Sequence, residues 1–237
     1  MKTKQDRDSV RNRPPFRWRS PRKKPLREIF TSRDFWFGIY VFAMFQISII
    51  LLTISALSES NRGLFLIVSI VMAIGVSIHG LIEAKRRQRV TFRYTPATPL
   101  RIIAYVGFIY AGVFAISTLF VIMKWEIPVQ ENQESLNQLL QQYIIPMTLI
   151  TGVVAPITEE LAFRELFPHA FGPSYISFII FSIIFALLHS PSGLIGYAIY
   201  GFLATAFMFI RLRDNNILTA IYVHMGYNLL TVVLSML

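Results

Sequence analysis

Long apolar runs separated by short polar segments fill the chain after a polar N-terminal stretch. An apolar run of roughly 17–25 residues can cross the hydrocarbon core of a bilayer as an α-helix. The runs are Phe35–Leu57, Leu64–Ile82, Ile102–Met123, Tyr143–Phe167, Ser174–His189, Leu194–Ile210 and Ile217–Leu237. The pattern predicts an all-α fold, a polytopic transmembrane helix bundle with about seven spans and up to eight helices.

The polar segment between the third and fourth runs, Lys124–Gln142, has a helical pattern of its own. Its apolar side chains recur every three or four residues, which is the period of one helix face. They are Leu136, Leu139, Leu140 and the adjoining Tyr143. This spacing predicts a short interfacial helix. A chain break is predicted after the fourth run, at Phe171-Gly172-Pro173.

Composition agrees with a membrane protein and places most of the charge at one end. The chain is 54% hydrophobic, with a mean hydropathy of +0.52. Residues 1–33 hold 12 basic and three acidic residues, so they carry +9 of the net charge of +10. Their four prolines oppose a regular helix. We expect a disordered basic tail held near anionic lipid headgroups by about 1 kcal/mol per basic residue, and no nucleic-acid partner.

The basic residues also orient the predicted bundle, because loops rich in Lys and Arg stay in the cytoplasm. With seven spans, residues 1–33, the Lys85–Arg93 loop and the Arg211–Arg213 turn fall on one side. The prediction is an integral membrane protein with a cytoplasmic N-terminus. The chain contains no cysteine, which excludes disulfides and thiolate chemistry.

Three of the apolar runs contain motifs with ionisable side chains that suggest a site. A charge at mid-bilayer costs at least about 2.5–3.5 kcal/mol, so such groups indicate a functional site. They occur as Glu159-Glu160-Leu-Ala-Phe-Arg164, as Phe185-Ala-Leu-Leu-His189 and as His224-Met-Gly-Tyr-Asn228. Two carboxylates, an arginine, two histidines and an asparagine on three helices suggest a catalytic site.

The two adjacent glutamates are predicted to differ in role. Neighbours on an α-helix point about 100° apart, so Glu159 and Glu160 cannot face the same way. Glu160 and Arg164 lie four residues apart on one face, where they can form an ion pair. Glu159 then remains as the candidate general base. The alternative is that the cluster only ties helices together.

The other two motifs supply groups that a water-activating site needs. His224 and Asn228 lie four residues apart on one helix face, from which both can donate to a developing oxyanion. His189 would activate water together with Glu159. The alternatives are a hydrogen-bonded helix pair for His224 and Asn228, and an interfacial residue for His189.

A zinc ion held by Glu159, His189 and His224, with Glu160 as a further ligand, is the alternative to a metal-free site. The chain has no HExxH motif, and Glu-Glu and His-xxx-Asn are not familiar ligand spacings. A metal-free site uses every polar group of the three motifs, so no cofactor is expected.

The depth of His189 conflicts with this site. Spans placed symmetrically put Glu159 and His224 near mid-bilayer and His189 about 10 Å nearer the outer surface. A helix tilt, a break at Pro156 or a deeper fifth span would bring the groups together. Three other ionisable residues are expected at the interface, outside the site: His79, Glu165 and His169.

The three motifs, in this order on successive hydrophobic helices, resemble the CAAX protease and bacteriocin-processing (CPBP) family, which includes the Ras-converting prenyl-protein endopeptidase. The resemblance covers roughly Tyr143–Leu237 and implies an intramembrane glutamic endopeptidase. It implies water activation by Glu159 with His189, oxyanion stabilisation by the third motif, and support from Glu160 and Arg164.

The residue pattern and the resemblance together predict three parts of the chain. The pattern predicts a tail in residues 1–33 and three transmembrane helices with their loops in residues 34–142, and the resemblance implies that residues 143–237 form the catalytic helical core. The resemblance also implies a substrate that is a peptide or protein in or at the membrane. A small chain without cysteine favours the bacterial branch of the family, and hence a bacterial cell membrane. Bacteriocin or pheromone processing and bacteriocin self-immunity are roles associated with the bacterial branch. The rival functions are a non-catalytic immunity protein and a proton-coupled transporter.

Overall fold

The computed structural model describes residues 25–87 and 98–236, except for the side chains of residues 131 and 132. This part of the chain forms nine helices and contains no strand. The helices are α1 (Leu26–Phe30), α2 (Arg33–Leu57), α3 (Arg62–Arg86), α4 (Thr98–Ile122), α5 (Glu131–Gln142), α6 (Ile144–Phe171), α7 (Tyr175–Leu188), α8 (Gly193–Asp214) and α9 (Ile217–Leu234). The predicted all-α bundle is confirmed. Most of the predicted tail, and part of the basic loop before α4, lie outside the described residues.

Six helices in the described part are long and apolar enough to cross a membrane: α2, α3, α4, α6, α8 and α9. Helix α7 forms from the fifth apolar run but has only 14 residues, fewer than the roughly 20 that a span needs. The predicted seven spans therefore become six helices of spanning length and one shorter apolar helix. The protein is an integral membrane protein.

Helices α2 and α3 pack closely through small residues. Ser48 and Ser55 on α2, and Ser69 and Ala73 on α3, are fully buried. The Ser69 hydroxyl donates to the Ser48 carbonyl oxygen at 2.7 Å, which joins the two helices across their interface. Small side chains let membrane helices approach each other, and a hydroxyl can bond to a helix carbonyl there without exposing a polar group to lipid.

The predicted short helix between the third and fourth runs is present as α5. Its apolar face, formed by Leu136, Leu139 and Leu140, packs on the buried cluster shared by α2, α3 and α6. The Tyr143 hydroxyl, one residue beyond α5, donates to the Ser55 carbonyl oxygen at 3.1 Å. The apolar face of α5 therefore contacts the bundle itself.

Helix α6 contains two π-helical segments, Ile150–Val154 and Leu161–Leu166. A proline stands at the second position after each segment, Pro156 after the first and Pro168 after the second. A proline inside a helix lacks the N–H donor, and its ring clashes with the carbonyl four residues earlier. The wider π turn relieves this clash, so α6 continues past both prolines. The break considered at Pro156 does not occur.

Side-chain caps begin the two helices that bring in the second and third motifs. Gly172, with φ of 94°, ends α6 where the Gly-Pro pair predicted a break. The Ser174 hydroxyl accepts a hydrogen bond from the Ser177 N–H at the start of α7. The Asn216 side chain accepts one from the Leu218 N–H at the start of α9. Such caps satisfy backbone donors that have no partner within the helix.

Candidate active site

A cavity of about 470 Å³ lies between α2, α4, α5, α6, α7, α8 and α9. Glu159, His189, His224 and Asn228 all line it. Glu159 comes from α6, His189 directly follows α7, and the other two lie on α9. The structure thus brings the three motifs to one space. The C-terminal end of the short α7 reaches this cavity, so His189 lines the same space as Glu159 despite the depth difference predicted between them.

Glu160 is fully buried and lies outside the cavity lining. Its Oε1 accepts a hydrogen bond from His224 Nδ1 at 2.9 Å. Its Oε2 is 3.5 Å from Arg164 Nε. The ion pair expected between Glu160 and Arg164 is present, and the same carboxylate also holds the ring of His224.

The guanidinium group of Arg164 is surrounded by aromatic rings. Its Cζ lies 3.8 Å from the centroid of the Phe185 ring and 5.9 Å from that of Phe207. Its three nitrogens have no hydrogen-bond partner among the described residues. Cation–π contact stabilises the positive charge, and Glu160 provides the counter-charge. Arg164 is fully buried and outside the cavity lining, so it influences the site through Glu160.

The ring of His224 is held in one orientation. It stacks on Phe207, with the ring centroids 4.2 Å apart and the planes at 21°. A carboxylate only accepts hydrogen bonds, so Nδ1 carries the hydrogen that is donated to Glu160. The other nitrogen, Nε2, is 3.9 Å from Oε2 of Glu159. His224 therefore presents Nε2 to the candidate base.

His189 is fixed in a similar way by the backbone. Its Nδ1 lies 2.8 Å from the carbonyl oxygen of Phe185, one turn earlier. A carbonyl oxygen only accepts, so Nδ1 is the protonated nitrogen and Nε2 of the neutral ring is left with a lone pair. The rings of Phe185 and Tyr200 lie 4.5 and 4.9 Å from the imidazole, centroid to centroid. His189 is thus an acceptor at the cavity.

No hydrogen bond or ion pair joins Glu159 to His189 within the described part of the chain, although both line the cavity. An ionised carboxylate and an unprotonated imidazole nitrogen both require a donor. A water molecule can donate to both, because it carries two O–H groups. The two side chains therefore have the hydrogen-bonding character expected of groups that hold an attacking water.

Asn228 binds a carbonyl that the proline in α6 leaves without a donor. The Ala155 N–H donates to the Ile150 carbonyl in the π pattern, and the next residue, Pro156, has no N–H to donate to Thr151. Asn228 Nδ2 donates to the Thr151 carbonyl oxygen at 2.8 Å. One hydrogen of the Asn228 amide is therefore used for structure, and the second remains for the cavity.

Gln130, just before α5, also contributes to the cavity wall and was not predicted. Its Nε2 donates to the Ser192 carbonyl oxygen at 2.8 Å, and its Oε1 accepts from the Ser192 N–H at 3.0 Å. Ser192 belongs to the short turn after His189. A Cβ atom at Gly196 would collide with the Gln130 carboxamide. The glycine at position 196 thus makes room for this side chain.

Two of the three ionisable residues expected to face headgroups are instead buried or partly buried within the bundle. Glu165 is 1% exposed, and its Oε2 lies 2.7 Å from Nη2 of Arg211 and 3.1 Å from Nε of the same guanidinium. His169 is 3.4 Å from Oε1 of Glu165. The interfacial prediction is wrong for Glu165, because α8 supplies a counter-charge that the sequence of α6 does not reveal. His79 is exposed on α3, with Nδ1 3.1 Å from the Tyr40 hydroxyl.

The alternative of a metal held by Glu159, His189 and His224 finds no support in the side-chain geometry. Across residues 25–87 and 98–236, no three His, Asp or Glu side chains are grouped as ligands for one ion.

Residues 141–230 match the sequence profile of a family described as Type II CAAX prenyl endopeptidase Rce1-like. This part of the chain is similar to that family, and we call it the Rce1-like segment. The predicted resemblance to CAAX proteases is thereby confirmed. The Rce1-like segment includes α6 to α8 and most of α9, so it contains the four predicted catalytic residues and both supporting residues.

Curated relatives come from Lactococcus lactis subsp. lactis (strain IL1403). The UPF0177 protein YvdC is 28% identical over 153 residues, which cover 62% of this chain and 56% of the relative. The UPF0177 protein YxdF is 31% identical over 93 residues, covering 38% of this chain and 48% of the relative. The chain spans about half the length of the curated relatives it matches. No solved structure matches the chain.

Proposed function

We propose that this protein is an intramembrane endopeptidase that hydrolyses a peptide bond in a membrane-associated or hydrophobic polypeptide. One observation carries the proposal: Glu159, His189, His224 and Asn228, from three separate motifs, line one cavity within the helix bundle. The Rce1-like sequence of residues 141–230 supports the same class of reaction.

The attacking water lies between Glu159 and His189 in this proposal. Glu159 accepts one proton of the water as it attacks the carbonyl carbon of the scissile bond, and Nε2 of His189 accepts a hydrogen bond from its other O–H group. His189 suits this role because Phe185 fixes the hydrogen on Nδ1.

The tetrahedral oxyanion is bound from α9. Asn228 donates the amide hydrogen that is not bonded to the Thr151 carbonyl oxygen, and a protonated His224 donates through Nε2. Glu160 then balances the charge of the imidazolium, since its carboxylate bonds Nδ1. When the intermediate collapses, the C–N bond breaks and Glu159 returns its proton to the leaving nitrogen. The products are a new carboxyl terminus and a new amine.

Cleavage of a peptide library by the purified protein in lipid vesicles tests this mechanism. The wild type is expected to cleave at least one hydrophobic peptide, and Glu159→Gln to lose at least about 100-fold in rate, because general acid–base catalysis contributes about 10²–10⁴-fold. Cleavage is expected to persist in a strong chelator. Loss of wild-type activity in chelator would favour the zinc-dependent alternative.

Glu134→Gln is the matched control, because Glu134 is an exposed glutamate on α5, outside the cavity lining. It is expected to cleave as the wild type does. Equal cleavage by Glu159→Gln and the wild type would contradict the proposal.

The same variant separates a catalytic role, in peptide processing or in bacteriocin self-immunity, from that of a non-catalytic immunity protein. If the protein protects cells by binding alone, cells that express Glu159→Gln remain protected. If protection or peptide maturation requires hydrolysis, Glu159→Gln abolishes it at equal protein abundance, whereas Glu134→Gln retains it.

A further inference from the structure

A glutamine on the second helix faces the cavity. Gln46 lies near the middle of the 25-residue α2, is half-buried, and lines the same cavity as Glu159. It has no hydrogen-bond partner among the described residues, whereas Ser48, Thr53 and Ser55 on the same helix each donate to a carbonyl of α2. Gln46 is therefore the polar side chain of α2 whose hydrogen-bonding groups remain available at the cavity.

A free carboxamide at this depth points to a ligand. Moving an amide from water to an apolar environment is unfavourable unless its hydrogen bonds are replaced. Water in the cavity can provide those bonds before substrate enters. A ligand that displaces this water must provide a donor and an acceptor of its own, or binding is weakened.

The surroundings of Gln46 restrict the chemistry of that ligand. Phe42, Phe45 and Ile49 of the same helix also line the cavity. No Lys or Arg appears in the lining formed by the described residues, and Glu159 is its one acidic residue. A ligand segment with a carboxylate would meet no Lys or Arg side chain there and would face Glu159. The cavity therefore suits a neutral, apolar segment.

The donor and acceptor of a peptide bond are complementary to those of the Gln46 carboxamide. The Gln side chain has an N–H donor and a C=O acceptor, and an extended peptide offers an acceptor and a donor in return. Pairing with the main chain gives affinity that does not depend on the residue type of the substrate.

We propose that Gln46 is a substrate-binding residue that hydrogen-bonds to a peptide bond in a neutral, apolar segment of the substrate. This inference rests on the proposed endopeptidase function. Gln46 lies outside residues 141–230, so α2 adds to the site a group that the Rce1-like segment does not contain.

The test measures binding in Glu159→Gln protein, so that turnover does not interfere. The probes are dye-labelled ten-residue peptides of Leu, Phe, Ala and Ser, selected from a library for binding to this protein in vesicles. Introducing Gln46→Leu or Gln46→Met into this Glu159→Gln protein is expected to raise the Kd for the peptides about tenfold, the equivalent of one hydrogen bond of about 1.4 kcal/mol. Thr53→Val, which removes a polar group of α2 outside the cavity lining, leaves the Kd unchanged.

Peptides in which single amides are replaced by esters give a second measurement. At one position the ester should weaken binding when Gln46 is present and have no further effect in Gln46→Leu, as for partners in a double-mutant cycle. An Asp at the centre of the peptide should abolish binding.

An unchanged Kd in both Gln46 variants would overturn the inference, and so would the absence of any ester position coupled to Gln46. Absence of binding by every library peptide would also overturn it. A different result would contradict the proposed function: the wild type binds these peptides through Gln46 but never cleaves them. Unchanged binding in the Gln46 variants, alongside cleavage that requires Glu159, leaves the function intact.

Discussion

Adjacent residues of α6 meet very different surroundings. Glu159 faces the cavity, where its side chain is 13% exposed, whereas Glu160 is enclosed with Arg164 and His224. An isolated buried charge is costly, so the Glu160 and Arg164 side chains depend on each other. Glu160 also fixes which nitrogen of His224 reaches the cavity. Its role is to position His224, and Glu159 is left for the proposed proton transfer.

Glu160→Gln is expected to destabilise the protein by about 3–5 kcal/mol, because it leaves Arg164 as a buried charge without a counter-charge. Combining it with Arg164→Met removes both charges and should recover most of that loss. Equilibrium unfolding in mixed detergent and SDS micelles, followed by circular dichroism, measures both values.

Arg86→Met is the control for a surface ion pair. The Arg86 side chain is 77% exposed and lies 3.6 Å from Glu83, and such pairs contribute about 0–1 kcal/mol. If the double variant Glu160→Gln with Arg164→Met loses the sum of the two single losses, the charges are not coupled and the prediction is wrong.

Within α6, one proline links the shape of the helix to the site. Pro156 follows the first π segment and leaves the Thr151 carbonyl to the side chain of Asn228. In a membrane, a backbone carbonyl without a partner costs several kcal/mol, so helix irregularities occur where another group satisfies them. The residue proposed to bind the oxyanion therefore also secures α9 against α6.

Asn228→Ala is expected to cost about 1–3 kcal/mol of stability, because it leaves the Thr151 carbonyl unsatisfied. In a Pro156→Ala background, the substituted position provides a backbone N–H within reach of that turn, and the same Asn228→Ala change should cost clearly less. The four proteins of this cycle are compared by the same unfolding measurement. An equal cost of Asn228→Ala in both backgrounds would show that Pro156 does not create the need for Asn228.

At the scale of the whole molecule, residues that precede the Rce1-like segment complete the cavity that this segment lines. Helices α2 and α5 contribute lining residues, and Gln130 holds the turn after His189 through both polar groups of the Ser192 backbone. The segment before α5 thus determines the position of a residue that follows α7.

Gln130→Ala is expected to lower kcat for peptide cleavage about tenfold with a smaller change in KM, because His189 loses the support of its turn while the rest of the cavity is kept. Gln130→Glu should restore part of the rate, since it can still accept from the Ser192 N–H. Gln138→Ala, an exposed position on α5, is the control. A change in KM alone would indicate that Gln130 contacts substrate instead.

Local patterns predict much of this fold. Apolar runs predict every long helix, and the spacing of Leu136, Leu139 and Leu140 predicts α5, because period and burial are properties of a single segment. The candidate site residues were also visible, since polar groups are rare inside apolar runs. Gln46 is also a polar residue within the first apolar run, but a single uncharged side chain does not by itself indicate a site.

Contacts between distant segments could not be predicted. The partner of Glu165 is Arg211, 46 positions later. The hydrogen bonds between the Gln130 side chain and the Ser192 backbone join residues 62 positions apart. The second role of Glu160, as the acceptor for His224, requires the packing of α9 on α6. The cytoplasmic N-terminus, the bacterial membrane and the three-part division of the chain stay predictions.

The length of α7 has a consequence for the surrounding lipid. Its 14 residues measure about 21 Å at 1.5 Å per residue, against a hydrocarbon core of about 30 Å. Its outer face is apolar and exposed, with Ile176, Ile179, Ile183 and Leu187 turned away from the bundle. A bilayer can adapt to an apolar helix that is too short by becoming thinner beside it. Thinning beside α7 would bring interfacial water, and polypeptides in the headgroup layer, closer to His189 than a bilayer of normal thickness would.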